Sequence, residues 1–386
     1  MNDVLAAELL KLDGQGLRRS LREVASAQSR EVILDGRPVL NFCSNDYLGL
    51  AADPRMALAA GSVAGQRGFG AGASRLVCGN FDEHTALERD IAALKKTEAA
   101  LLFSAGYMAN VGIISALVGR DDAVFSDRFN HASIVDGIVL SRASMRRYPH
   151  NDMAALDALL AAETNARRKL IVTDTVFSMD GDVAPLVELA ALAKRHNAWL
   201  MVDEAHAFGL FGVSGSGMAE ELGVAGVVDV QMGTLSKAAG SFGAYAAGSR
   251  VLVDHLLNAA RSVVFTTALP PSVAAAGRAA LRIIRAEPQR RQKVLRSAGS
   301  LREALQALGL DVPPGITPII PVMLGSADRA VRWSKALLEE GIFVSAIRPP
   351  TVPSGSARLR VTVTAAHTGS DLEHCVSAFK KVMSHA

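Results

Sequence analysis

The stretch 230-VQMGTLSKAAGSFGAY-245 places a single lysine, Lys237, between an apolar run and a series of small residues. The run 227-VVDVQM-232 has the character of a buried strand, and Thr234 and Ser236 put two hydroxyl groups just before the lysine. Lysines usually lie among polar residues that water can reach. The small residues after Lys237 leave space for another molecule beside its amine, so the segment predicts a functional lysine where a buried strand ends.

Outward from this segment, the chain alternates short apolar runs with helical patterns. The runs and patterns are 99-AALLF-103, 111-VGIISALV-118, 123-AVFS-126, 169-KLIVTD-174, 186-LVELAALAKRH-196, 198-AWLMVD-203 and 243-GAYAAG-248. Continuous apolar runs that are separated by helices indicate a mostly parallel sheet with helices on both faces. The predicted fold class is therefore α/β.

The pattern changes after 269-LPP-271. A long helical stretch runs to about residue 309, and strand-like segments follow at 317–324, 342–347 and 357–364, with a helix near 328–340. This order is typical of a smaller α+β domain. We therefore expect three parts: an N-terminal helix and strand segment at 1–45, a large α/β domain at 46–270 and a small C-terminal α+β domain at 271–386.

The composition is that of a globular protein. The 386 residues are 49% hydrophobic and 20% charged, which supplies a large core and argues against disorder. With 41 basic and 38 acidic residues and no dense basic block, nucleic acid is not expected as a partner. No apolar run reaches the roughly 18 residues of a membrane span, and the N-terminus lacks the apolar centre of a signal peptide. Three widely spaced cysteines, Cys43, Cys78 and Cys375, favour reduced thiols and no metal cluster, so we expect a cytoplasmic protein.

Polar residues follow several of the apolar runs. In open α/β sheets the ligand site lies beyond the carboxyl ends of the strands, so these positions are the candidates for a site. They are Asp174, Ser178, Asp203, Glu204, His206, Thr234, Ser236, Lys237 and, in 127-DRFNHAS-133, His131. In addition, 104-SAGYMAN-110 opens a helix with small residues, and the free N–H groups of such a helix start suit a phosphate.

An acid, a histidine, a lysine and a helix start of this kind are the parts that hold pyridoxal phosphate. The lysine bonds to the aldehyde, the acid keeps the pyridine nitrogen protonated, and the helix start binds the phosphate. Each residue also has a structural explanation: Asp203 and His206 could cap a helix, and Lys237 could be a loop lysine. Their joint occurrence in this order favours the cofactor site. His84, His150 and His367 are taken as structural.

With these motifs the chain resembles the α-oxoamine synthases, a branch of the aspartate-aminotransferase-like pyridoxal-phosphate enzymes. The resemblance runs nearly end to end. It rests on 41-NFCSNDYLGL-50, 70-GAGASRLVCG-79, 127-DRFNHASIVDG-137, 176-VFSMDGDVAPL-186, 201-MVDEAHAFGLFG-212, 233-GTLSKAAGSFG-243, 265-FTTALPP-271 and 346-AIRPPTVPSGSARLRVTVTAAHT-368. It implies the transferase fold of the class I and II aminotransferases and a homodimer with shared active sites.

The resemblance also implies roles around the cofactor ring. Lys237 would carry the cofactor covalently, and Asp203 would pair with the pyridine nitrogen. His206 and Ser178 would hydrogen-bond on the side of the phenolic oxygen, and His131 would stack on the ring.

Four further positions would bind the phosphate. The backbone N–H groups of Gly106 and Tyr107 would hold it together with the Thr234 hydroxyl, and Thr266 would reach the phosphate of the partner subunit.

The amino-acid and thioester substrates have their own implied residues. Asn45 and Arg348 would hold the amino-acid carboxylate, and Thr351 would lie beside the substrate. An N-terminal arginine is expected near the acyl-CoA, where Arg18 fits the local pattern and Arg19 is a close rival. The sequence departs from the family pattern at Asp174 and at 205-AHAFG-209. We expect these departures to change the shape of the pocket and to leave the cofactor chemistry intact.

The implied reaction is the decarboxylative condensation of an amino acid with an acyl thioester. Lys237 would remove the α-proton, and His131 would donate a proton to the keto oxygen. The segments 178-SMDGDVAPL-186 and 346-AIRPPTVP-353 favour the member that joins L-alanine to pimeloyl-CoA, or to a pimeloyl-carrier thioester, in biotin synthesis.

Three other hypotheses for the function stay open. The first is a sister enzyme that uses glycine with succinyl-CoA or acetyl-CoA. The second is a non-catalytic partner subunit of the same fold, which the intact set of site residues argues against. The third is a nucleotide-binding oxidoreductase, which the absence of a complete G-x-G-x-x-G at a strand-to-helix turn disfavours.

Overall fold

The computed structural model describes residues 1–15 and 17–384. The strands, in chain order, are β1 (Glu31–Leu34), β2 (Arg37–Asn41), β3 (Ala99–Phe103), β4 (Ala123–Asp127), β5 (Ser144–Tyr148), β6 (Lys169–Asp174), β7 (Trp199–Asp203), β8 (Val230–Thr234), β9 (Ala244–Gly248), β10 (Ile319–Gly325), β11 (Ile342–Phe343), β12 (Ser345–Ile347) and β13 (Ala357–Thr362). The α-helices are α1 (Asn2–Gly14), α2 (Pro54–Arg67), α3 (Asp82–Lys95), α4 (Gly106–Leu117), α5 (Ala132–Ser141), α6 (Met153–Ala162), α7 (Leu186–Arg195), α8 (Met218–Glu221), α9 (Arg250–Ala259), α10 (Arg261–Val264), α11 (Pro271–Ala286), α12 (Pro288–Ala307), α13 (Ala327–Glu339) and α14 (Gly369–Ser384).

The chain forms two compact units. The larger unit comprises Leu50–Ser178 and Asp182–Gln292, and the smaller unit comprises Met1–Gly49, Met179–Gly181 and Lys293–Ala386. These limits differ from the three parts that the sequence suggested, because α11 packs on α2 and α3 of the larger unit. The division into parts at 1–45, 46–270 and 271–386 therefore stays a prediction.

The larger unit is built on a sheet of strand order β3-β9-β8-β7-β6-β4-β5 within the described residues. Neighbouring strands are parallel from β8 through β7, β6 and β4 to β5, and β9 is antiparallel to both β3 and β8. The mostly parallel sheet that the apolar runs predicted is therefore confirmed. The strand β5 was missed, because its sequence 144-SMRRY-148 is polar and lies at the edge of the sheet.

Burial explains why these runs form strands. Every residue of β3, β4, β8 and β9 is buried, as expected for strands that helices cover on both faces. One face packs in a single apolar cluster with residues of α4, α5 and α9. The helices α3, α6 and α7 contact other parts of the same sheet.

The parallel register brings several polar residues to one edge of this sheet. The strands β4, β6 and β7 end in Asp127, Asp174 and Asp203, and β8 ends in Thr234. Asp174 lies directly opposite Asp203 in the register of β6 and β7. The candidate site residues of the larger unit therefore start from one edge, as the rule for open α/β sheets predicts.

The smaller unit contains two sheets, β10-β13-β12 and β1-β2-β11. The helix α13 packs on β10, β12, β13 and α14, which gives the α+β character that the sequence indicated. The prediction of a single strand at 342–347 is wrong. Its first half pairs with β2 as β11 and its second half with β13 as β12, so the chain changes sheets between them.

Across residues 1–15 and 17–384, no helix combines the length and the apolar character that are needed to cross a lipid bilayer.

The helix α5 offers a matched test of the core. Ile138 and Val139 are adjacent residues of this helix, and their exposed fractions are 0% and 64%. Ile138→Ala should lower the free energy of unfolding by about 2–5 kcal/mol, because it leaves a cavity against the sheet. Val139→Ala should change it by no more than about 0.5 kcal/mol. Urea unfolding of both variants measures the difference, and equal losses would contradict the placement of α5.

Candidate active site

Lys237 lies in the turn between β8 and β9, with its amine against a histidine. Its Nζ atom is 2.8 Å from Nε2 of His206, which is almost completely buried. The turn is closed by Gly240, whose N–H donates to the carbonyl of Lys237. Gly240 has a φ of +58°, and a Cβ there would lie 2.3 Å from the backbone nitrogen of Ala51. Close packing of the turn against Ala51 therefore requires a glycine at position 240.

Asp203 is buried at the end of β7, and both of its carboxylate oxygens are hydrogen-bonded. Oδ2 accepts from Nδ2 of Asn110 at 2.7 Å, and Oδ1 accepts from the N–H of Ala205 at 2.8 Å. Asn110 also donates to the hydroxyl of Ser133 at 2.9 Å. The sequence analysis missed Asn110, although a buried amide in the first two turns of an otherwise apolar helix was a usable signal.

A buried ion pair supports the turn that carries Asp203 and His206. The carboxylate of Glu204 accepts from the N–H groups of Met218 and Ala219 at 3.0 and 2.8 Å, and it lies 3.6 Å from Nζ of Lys95. Both charged side chains are fully buried. Because a buried charge is costly unless it is paired and hydrogen-bonded, this arrangement holds the turn in one position.

His131 caps the start of α5 and is bound to the sheet through its backbone. Its N–H donates to Oδ2 of Asp174 at 2.7 Å, and its ring Nδ1 lies 2.7 Å from the hydroxyl of Ser133. Although the residue as a whole is exposed, partial removal of its ring from water lowers the pKa of His131. The negative charge of Asp203 opposes this shift, and the positive charge of Lys237 adds to it.

Asp174 and Asp203 form a pair of neighbouring buried carboxyl groups. Burial, followed by the negative charge of Asp203, raises the pKa of Asp174 well above its ordinary value. Two carboxylates this close do not both ionise readily, so Asp174 retains its proton at pH values where an exposed aspartate loses it.

The start of α4 lies beside Thr234. No side chain caps the first turn after Ala105, and a Cβ on Gly106 would lie 4.0 Å from Oγ1 of Thr234. The open N–H groups of a helix start and an adjacent hydroxyl are a donor set that suits a phosphate. The side chain of Tyr107 is half exposed, and its hydroxyl donates to Asp136.

Two other predicted residues occupy loops of the larger unit. Ser178 is partly buried in the turn after β6. Thr266 is partly buried after α10, next to Thr267, which forms a β-bridge with Ser74.

In the smaller unit, Asn45 is bonded to an arginine that the sequence analysis did not select. Nη1 of Arg360 donates to Oδ1 of Asn45 at 3.1 Å, and Nη2 lies 3.4 Å from the hydroxyl of Tyr47. Arg360 is 7% exposed. The signal was present in 357-ARLRVTVT-364, because Arg358 and Arg360 fall on one face of a strand that is buried throughout.

The other substrate-side residues of the smaller unit form a second group. Nη2 of Arg348 donates to the carbonyl of Arg18 at 3.1 Å, and Nη2 of Arg19 donates to Oγ1 of Thr351 at 3.3 Å. The guanidinium of Arg18 pairs instead with Asp13 at 2.6 Å. The structure therefore brings these predicted residues together and directs Arg19, not Arg18, at Thr351.

Within the part of the chain that the structure describes, no group of three or more His, Cys, Asp or Glu side chains could hold a metal ion.

Comparison with known proteins shows the family of the chain. The family model described as aminotransferase class I and II matches residues 37–379. An 8-amino-7-oxononanoate synthase of Anaeromyxobacter sp. (strain Fw109-5) is 57% identical and covers 99% of this chain and 96% of its own. One of Geobacter sulfurreducens is 53% identical, with coverage of 99% and 98%. The chain belongs to the class I and II aminotransferase family, among the 8-amino-7-oxononanoate synthases.

A solved structure is similar over the same length. Serine palmitoyltransferase from S. paucimobilis, described with a bound PLP–myriocin aldimine, superposes with a TM-score of 0.94 at 33% identity. The match covers 99% of this chain and 97% of that one.

A substitution at Gly217 tests whether the ion pair of Glu204 and Lys95 supports the 203–206 turn. Its φ is +136°, and a Cβ there would lie 1.3 Å from Oε2 of Glu204. Gly217→Ala should displace that carboxylate from Lys95 and lower the free energy of unfolding by about 3–5 kcal/mol. Gly223 has a φ of +70° and open space around it, so Gly223→Ala should cost only the backbone strain, about 1–3 kcal/mol. Urea unfolding measures both variants, and a larger loss of unfolding free energy in Gly223→Ala would contradict this role of Glu204.

Proposed function

We propose that this chain catalyses the 8-amino-7-oxononanoate synthase reaction. L-alanine condenses with pimeloyl-CoA, or with a pimeloyl-carrier thioester, to give 8-amino-7-oxononanoate, carbon dioxide and CoA in biotin synthesis. The observation that carries the proposal is the amine of Lys237, 2.8 Å from His206 and on the same sheet edge as Asp203. Identity above 50% to relatives of that name over 99% of the chain supports the choice of reaction.

Pyridoxal 5'-phosphate is the cofactor of the proposal, and the donor set of the larger unit fits it. When bound, it supplies an aldehyde for a lysine and a ring that withdraws electrons from the α-carbon of the amino acid. Its phosphate suits Gly106, Tyr107 and Thr234, with Thr266 from the second subunit. Ser178 and His206 suit the phenolic oxygen.

Asp203 has the task of holding a proton at the pyridine nitrogen. A carboxylate stabilises that proton only if it is itself kept in place and near the ring. The bonds from Asn110 and Ala205 hold both oxygens of Asp203 and so orient the carboxylate.

Lys237 has two tasks, to bind the cofactor and then to take the α-proton of the amino acid. His206 lies within hydrogen-bond distance of its amine and orients it. His131 is the proposed proton donor to the keto oxygen. The backbone N–H of Ser133 donates to Nδ1 of His131, which leaves Nε2 to carry the proton of the neutral ring.

The carboxylate of the amino acid is assigned to Asn45 together with Arg360, with Arg348 as the arginine that the family resemblance suggested. The contact between Arg360 and Asn45 favours Arg360. A guanidinium binds a carboxylate through paired hydrogen bonds, which an ammonium does not reproduce. Arg19 is favoured over Arg18 for the acyl-CoA, because the guanidinium of Arg18 is paired with Asp13.

Assembly and location complete the proposal. The proposed enzyme is a homodimer that shares its sites, with Thr266 of one subunit assigned to the phosphate of the other. It works in the cytoplasm, where its free cysteines, Cys43, Cys78 and Cys375, stay reduced.

The decisive experiment measures CoA release with alanine and pimeloyl-CoA, and with glycine and succinyl-CoA or acetyl-CoA. The alanine pair should give the higher kcat/KM. Lys237→Ala is the control and should lose turnover by a factor of at least about 10⁴ while remaining folded. A preference for glycine would move the chain to a sister enzyme. Absence of CoA release with every pair, in protein that binds no cofactor, would favour a non-catalytic subunit.

The two candidate arginines can be separated by conservative substitution. Arg360→Lys should raise KM for alanine about ten- to hundred-fold, because a paired, charge-assisted hydrogen bond is lost, and should leave KM for the thioester unchanged. Arg348→Lys should change KM for alanine by less than Arg360→Lys does. Steady-state kinetics with each substrate varied in turn measures both values, and the reverse order would return the role to Arg348.

A further inference from the structure

His150, which the sequence analysis took as structural, is bonded on both ring nitrogens to carboxylates. Nδ1 lies 3.0 Å from Oδ1 of Asp127, and Nε2 lies 2.7 Å from Oδ2 of Asp182. The ring stacks on Phe129 at 4.5 Å between centroids and meets the edge of Phe177 at 4.4 Å. Only about a fifth of the side chain is exposed. All five residues belong to the larger unit.

The first carboxylate holds the turn that leads to His131. Asp127 is 1% exposed, and its Oδ1 accepts from the N–H of Phe129 at 2.8 Å. Its Oδ2 accepts from the N–H of Asn151 at 2.8 Å. The position of Asp127 therefore sets the backbone of 127–131.

The second carboxylate belongs to the turn that contains Ser178. The carbonyl of Asp182 accepts from the N–H of Phe177 at 3.0 Å, and Val176 and Val183 form a β-bridge at the base of this turn. Nδ2 of Asn151 donates to the same Oδ2 of Asp182 at 3.1 Å. His150 thus connects two turns that come from different strands and that each carry a proposed cofactor residue.

We propose that His150 is a positioning residue, whose protonated ring ties the 127–131 turn to the 176–183 turn and so holds His131 and Ser178 in place for the reaction. The inference rests on the proposed function for the roles of those two residues. The contact itself is independent of any ligand.

The connection needs the charged ring, since only an imidazolium donates from both nitrogens to two carboxylates. Burial by itself lowers the pKa of His150, but the hydrogen bonds and charges of Asp127 and Asp182 outweigh it and raise the pKa to about 9. Burial, followed by the charge of Asp127, raises the pKa of Tyr148, so the phenol stays protonated. The charge of Asp127 also adds to the raised pKa of Asp174.

The sign of the pH dependence follows from this shift. The folded pKa lies above the ordinary value of 6.5, so the stabilisation is complete below that value and is lost as the pH rises through about 9. The connection therefore holds at neutral pH and opens in the alkaline range.

Hydrogen–deuterium exchange on the protein without added cofactor tests the contact alone. His150→Gln should reduce the protection of peptides that cover 127–135 and 176–184 by about ten-fold at pH 7.5, with less change elsewhere. His196→Gln is the matched control, because it removes a histidine–aspartate bond of 2.6 Å between the end of α7 and Asp157 of α6. Unchanged protection in His150→Gln, or the same loss in His196→Gln, would overturn the proposal.

The pH profile of CoA release tests the effect on the reaction. The wild type should lose activity as the pH rises through about 9, where His150 loses its proton. His150→Gln should lower kcat by on the order of ten- to a hundred-fold and should not show this alkaline limb. Asp182→Asn, a milder change, should move that limb to lower pH, because one of the two carboxylates that hold the proton is gone. A wild-type profile in either variant would overturn the positioning role. If the wild type released no CoA, the exchange data would still decide the contact, and only the proposed function would fail.

Discussion

The buried carboxylate of Asp203 is the constraint on which the arrangement of the larger unit depends. An ionised group at the end of a covered strand is stable only with hydrogen bonds to replace water. Asn110 and Ala205 supply them, so α4 and the 203–206 turn are both positioned by one side chain. The raised pKa of Asp174 follows from the same constraint, because a second negative charge beside Asp203 is unfavourable.

The adjacent acids Asp203 and Glu204 make different contacts. Asp203 acts electrostatically on His131, whereas Glu204 is bound to Lys95 and to the backbone of Met218 and Ala219. Neighbouring residues of an extended strand point to opposite sides, so consecutive acids can serve different surroundings. A buried ion pair adds little net stability against an apolar substitute, but it is costly to break, which suits a part that keeps a turn in one position.

Close packing of small residues has the same effect around the lysine and the helix start. Gly240 leaves room for Ala51 beneath the turn of Lys237, and Gly217 leaves room for the carboxylate of Glu204. Gly106 leaves the first turn of α4 open towards Thr234. These close contacts therefore hold the turn of Lys237 and the turn of Glu204 in defined positions.

The sequence by itself determined the α/β class, the ends of β6 and β7 and the candidates Lys237, His206, Asp203 and His131, because burial periodicity and strand-end position are local properties. Only the tertiary structure decided which groups these residues contact. Asn110 is 93 positions from Asp203, and Arg360 is 315 from Asn45, and local patterns carry no information about such pairs. The same holds for His150, whose neighbours in sequence do not indicate its role. The two carboxylates that favour its protonated form belong to another strand and another turn, and the packing of the sheet brings them to it.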